Sequence, residues 1–184
     1  MGLDMYLLKE TYIGAVRNPH VKVSMTIQTT KSKRKKTKTI ENMKIVLVEE
    51  EIAYWRKANA IHGWFLKNVY NEEAHTNRIE VKPYQIARLL ETCETIIKKA
   101  ELKPGRIFSG YLWKNGENTP TFMNGLVCNN ASELKKILPR QDGPFFGPQS
   151  YDEYYIQEVK DTIEQLRSID FNEPNTRYFY VANW

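Results

Sequence analysis

The sequence predicts an α+β protein, an antiparallel sheet with three main helices in a single domain over residues 1–184. Alternating β runs fill the first part of the chain, amphipathic helical stretches follow, and strand runs recur between and after the helices. That order disfavours the βαβ repetition of a parallel sheet. A chain of 184 residues suits one domain. It buries roughly two thirds of its unfolded surface, so it needs neither disulfides nor a metal to fold.

Leu3, Met5 and Leu7 alternate with Asp4, Tyr6 and Leu8 as a first strand, and Tyr12 to Val16 gives a second short run. Val21, Val23, Met25 and Ile27 alternate with Lys22, Ser24 and Thr26, the period of a half-buried strand. Ile45 to Val48 is a further β-branched run, so the two runs make a long hairpin with a charged loop at 30–39. A first helix is predicted from about Glu49 to Tyr70, with Glu49, Glu50 and Glu51 where the helix dipole favours acids.

The second helix opens at Pro83 and carries Ile86, Leu89, Leu90, Cys93, Ile97 and Ala100 at helical spacing before Pro104-Gly105. An inserted hairpin at about 106–128 turns at Asn115-Gly116. Ser132 to Leu138 reads as a short helix stopped by Pro139. The last helix has Ser150 and Glu153 as a capping box, then Ile156, Val159, Ile163 and Leu166 along one face. An aromatic strand from Arg177 to Trp184 follows, with Trp184 expected to pack.

Composition narrows the setting. The net charge is +5, but six basic residues and no acid lie between Lys31 and Lys38, and without them the charge becomes −1. Basicity is therefore local to one segment. No apolar run approaches the roughly 20 residues of a membrane span, and the start MGLDMYLLKE lacks the features of a signal peptide. Cys93 and Cys128 are then expected to be reduced thiols, which places the protein in the cytoplasm of a bacterial host cell.

Wound as one helix, Tyr54 to Phe65 places Trp55, Asn59 and His62 toward the packing face, with Arg56 on the opposite side. A histidine on a packing face either hydrogen-bonds internally or opens onto a pocket. In the pocket reading Trp55 stacks a base, Asn59 reads its edge and His62 donates to phosphate, with Arg56 as an additional ligand-binding residue. In the other reading His62 is a core histidine satisfied by the protein. His20, His62 and His75 have no metal-ligand spacing, and no metal or cofactor is expected. Phosphate-loop, dinucleotide, CxxC and Gly-x-Ser-x-Gly motifs are absent. Lys31, Lys33, Arg34, Lys35, Lys36 and Lys38 have the density of a sequence-blind phosphate-binding arm, or of a solvated hairpin tip.

Three blocks resemble a family of small uncharacterised phage and prophage proteins: Met1-Gly-Leu-Asp-Met-Tyr-Leu7, Tyr54-Trp-Arg-Lys-Ala-Asn-Ala-Ile-His62 with Trp64-Phe65, and Gly143-Pro-Phe-Phe-Gly147 with Tyr151 to Tyr154. The resemblance implies a phage or prophage setting and a shared fold, and brings no activity with it. The leading expectation is a non-catalytic accessory protein that binds an anionic, nucleotide-like ligand or a host partner, with counter-defence as one role. A hydrolase using His62 with Asp4 or Asp152 and a nucleic-acid binder working through the basic loop are the alternatives.

Overall fold

The computed structural model describes residues 2–12, 23–31, 34–43, 47–70, 78–114, 116–143, 145–171 and 173–183, of which 23–31 and 34–43 are described by their backbone alone. In chain order the elements are β1 (Asp4–Tyr12), β2 (Val23–Lys31), β3 (Arg34–Met43), β4 (Leu47–Arg56) and α1 (Asn59–Asn68). Then come β5 (Arg78–Val81), α2 (Pro83–Lys99), β6 (Leu102–Lys114), β7 (Glu117–Cys128), α3 (Ala131–Ile137), α4 (Glu153–Arg167) and β8 (Thr176–Asn183). The fold is α+β with antiparallel sheets, as the sequence predicts. The main sheet has the order β4-β1-β8-β5, and β2-β3 and β6-β7 are separate hairpins.

The alternation in β1 sets the core. Leu3, Met5 and Leu7 are fully buried, each worth about 1.5–3 kcal/mol of transfer free energy. Register carries the pattern across the sheet: Met5 lies level with Trp55 and Ala182, and Leu7 with Ala53 and Tyr180. Ile79 extends the Tyr180 row onto β5. Residues of α1, α2 and α4 complete the same hydrophobic cluster.

The first predicted helix is the main correction. Residues 47–56 form a strand and only 59–68 are helical. Ala53 and Trp55 point inward while Tyr54 and Arg56 point out, a period of two that pairing with β1 enforces. The glutamates expected at a helix start find strand partners, Glu50 with Lys9 at 3.3 Å and Glu49 with Arg78 at 2.6 Å. Lys57, at φ 57°, turns the chain into α1.

Three smaller differences follow from local chemistry. The helix α4 is capped by Asp152, whose side chain accepts from the backbone N–H groups of Tyr154 and Tyr155. Ser150 does not cap; its hydroxyl donates to Asp152 at 2.6 Å. Lys31 pairs with Arg34 across the basic hairpin, so Lys35, Lys36 and Lys38 belong to strand β3 and not to a loop over 30–39. The inserted hairpin runs the full length of β6 and β7. The Tyr12 to Val16 run beyond Tyr12, Lys33, the turn residue Asn115, Trp184, His20 and His75 lie outside the described residues.

Candidate functional site

Helix α1 presents Asn59 and His62, three residues apart, to the interior. Asn59 is 0% exposed, His62 1% and Trp55 4%. The His62 Nδ1 lies 2.7 Å from the Tyr180 hydroxyl, and the ring of Phe146 meets the imidazole edge-on at 5.1 Å. Burial pushes the His62 pKa down to about 4, so the ring is neutral at pH 7. Trp55 donates its indole N–H to Thr162 at 2.9 Å.

Asn59 joins a second group centred on Arg140, a residue that the sequence reading missed. Arg140 donates to the Asn59 side-chain carbonyl at 2.9 Å, to the Ser150 carbonyl at 2.7 Å and to Glu158 at 3.2 Å. Its guanidinium lies over the Tyr155 ring, 5.0 Å from the centroid. Asn59 in turn donates to the Pro148 carbonyl at 3.1 Å. Arg140 and Asn59 thus fasten segment 148–150 to the body from beneath. Glu158 faces this buried cation, yet burial raises its carboxyl to about 7 against the opposing pull of Arg140. The only hint in sequence was an arginine directly after Leu138-Pro139, in a stretch that otherwise reads as a connection.

Of the four residues expected at a ligand pocket, the structure encloses Trp55, Asn59 and His62 and separates Arg56 from them. Arg56 is exposed at the end of β4, 4.0 Å from Asp4, which accepts a hydrogen bond from the Tyr54 hydroxyl at 2.6 Å. The basic residues Lys31, Arg34, Lys35, Lys36 and Lys38 lie along β2 and β3.

One open concave surface lies beside the β6–β7 hairpin. A cleft of about 400 Å³ lies between the β6–β7 hairpin and residues 142 and 147–150, lined by Phe108, Tyr111, Asp142, Pro148 and Gln149 among others. Phe145 and Gly147 have left-handed backbone, at φ 65° and 100°. A Cβ at Gly147 would also lie 3.3 Å from the Lys57 carbonyl, which favours glycine twice over. Phe146 goes into the core while Phe145 stays outside, 63% exposed.

The cleft opens onto one face of the hairpin. Phe108 lies opposite Phe122, Tyr111 opposite Pro120 and Trp113 opposite Asn118, so these side chains share a side of the ribbon. A bulge between Phe108 and Gly110 brings Phe108 and Tyr111, three apart, onto that side, with rings 5.1 Å apart. Tyr111 is 67% and Trp113 68% exposed.

Fold and surface together define an α+β protein with a closed polar network under one segment and an aromatic hairpin in solvent. No protein family, no curated protein and no solved structure matches the chain. Among the described residues no group of three or more His, Cys, Asp or Glu could hold a metal ion, and no helix is long and apolar enough to cross a membrane.

Proposed function

We propose that this chain is a non-catalytic accessory protein of a phage or prophage that binds a protein partner of the bacterial host through the aromatic face of the β6–β7 hairpin. One observation carries the reading: Tyr111, Trp113 and Phe122 stand exposed on one face that runs into the cleft beside Phe108. Contiguous exposed aromatics mark interaction surfaces, and Tyr and Trp dominate interface hot spots. The cleft fits a cationic side chain of the partner, which would stack on Phe108 and Tyr111 and meet the Asp142 carboxylate. The phage setting rests on the resemblance of the three sequence blocks.

Capture from host lysate on wild-type protein and on a Tyr111→Ser, Trp113→Ser variant, then reassembly from purified components, tests this. The double variant is expected to weaken the reassembled complex at least about a hundredfold. A partner that the variant holds equally well contradicts the assignment.

A hydrolase reading has less to stand on. The His62 ring is enclosed and neutral, Asp4 accepts from Tyr54, and Asp152 caps α4. Burial pushes the thiols of Cys93 and Cys128 up to about 12 and about 11, which removes them as nucleophiles at pH 7. Nucleic-acid binding through the basic hairpin is read by retention on DNA or RNA at low salt, which neutralising Lys33, Arg34, Lys35 and Lys36 together would abolish.

A further inference from the structure

Between the last turn of α1 and the middle of α2 lies a crevice of about 170 Å³, separate from the hairpin cleft. Its wall includes Trp64, Lys67, Asn68, Arg88 and Thr92, closed by Ile137 and Pro139 at the end of α3. Among the described residues, two cations line it and no carboxylate does. The spacing explains the convergence: Trp64, Lys67 and Asn68 are three and four apart on α1, and Arg88 and Thr92 are four apart on α2.

Arg88 is unlike the other arginines whose side chains are described. Arg56, Arg78, Arg140, Arg167 and Arg177 each face a carboxylate, and Arg106 donates to the Phe122 carbonyl. Neither Arg88 nor Lys67 forms an ion pair among the described residues, so both charges are available to a ligand. Further donors stand beside them. The Asn68 amide uses one N–H on the Trp64 carbonyl at 2.8 Å and keeps the second. The Trp64 indole N–H has no protein partner among the described residues and is not sealed from solvent.

From this we infer that the crevice binds a tetrahedral oxyanion, a phosphate group, held by Lys67, Arg88, Asn68 and Trp64. The carbonyl ends of α1 and α3 oppose it with roughly half a negative charge each, which two full cations exceed. Size sets the ligand class. The volume corresponds to only a few waters at about 30 Å³ each, whereas sites for larger organic ligands span roughly 300–1,000 Å³. The crevice therefore takes the phosphate itself, either free or projecting from a larger molecule that stays outside.

The test follows the Trp64 indole resonance by NMR while inorganic phosphate is titrated into the full chain at constant ionic strength. We expect a saturable shift, weakened at least about tenfold in Arg88→Gln and in Lys67→Gln, both exposed positions, and unchanged in Arg106→Gln. A nucleoside monophosphate tighter than inorganic phosphate assigns the site to a phosphoryl group on a larger molecule, and equal affinity assigns it to the free ion. No saturable shift, an undiminished shift in both variants, or equal binding of the unphosphorylated nucleoside overturns the inference.

Discussion

The interior face of α1 and the outer face of the β6–β7 hairpin make opposite use of the same residue types. Around α1, an indole, an amide and an imidazole are all enclosed, and each has a partner: Trp55 with Thr162, Asn59 with Arg140 and Pro148, His62 with Tyr180. On the hairpin, Tyr111 and Trp113 stand in solvent. Residue type alone therefore does not mark a binding site. Polar groups enclosed with satisfied hydrogen bonds specify the core, and aromatics left uncovered point to a partner.

The largest expected effect lies in the enclosed region. Arg140→Met leaves Glu158 and the Asn59 and Ser150 carbonyl groups without their donor, and should cost about 3–5 kcal/mol in urea denaturation. Retention of near wild-type stability would mean that segment 148–150 is held by something else. His62→Ala comes next, with an expected loss of about 1–3 kcal/mol. A neutral outcome would put His62 at an open pocket and erase the contrast.

The pH dependence sharpens the contrast further. His62 is held below its ordinary 6.5, at about 4, so the stability it contributes at neutral pH is lost as pH falls from about 6.5 toward 4. Glu158 is held above its ordinary 4.5, at about 7, so its neutral form stabilises at low pH and that stability is lost as pH rises from about 4.5 through 7. Between pH 7 and pH 5 the two contributions, each about 2 kcal/mol, run in opposite directions. Wild-type stability should change little from these groups over that window. Glu158→Gln should lose stability on acidification relative to wild type, and His62→Gln should gain it. Parallel pH profiles for all three proteins would show that neither group titrates as its surroundings dictate.

The smallest effect belongs to the exposed region. Tyr111→Ser and Trp113→Ser should each alter stability by no more than about 0.5 kcal/mol, because neither side chain fills the core. A larger drop in thermal midpoint would make the aromatic face part of the fold's own packing.

Local pattern revealed much of this fold and little of the contrast. The alternation of Leu3, Met5 and Leu7, the spacing from Ile86 to Cys93 and the turn at Asn115-Gly116 each specify their element within a few residues. Residues 49–56 misled because three glutamates before an apolar stretch resemble a helix start, while their strand state depends on distant Lys9 and Arg78. His62 was legible as an inward residue, since helical spacing determines its direction. That its surroundings close over it was not, because Tyr180 and Phe146 arrive from two remote parts of the chain. The hairpin was legible as a hairpin, but exposure of its aromatics is a tertiary property of a ribbon that meets the body near its base, where Ile107 is buried and Val127 bridges to Asp152.

The most direct test of the closed network is an NMR titration of the His62 imidazole, assigned by comparison with His62→Gln. An enclosed ring bonded to Tyr180 should show no protonation shift until the pH approaches about 4. A midpoint near the ordinary 6.5 would contradict the account, because it would place His62 in water and reopen the α1 face as a ligand pocket.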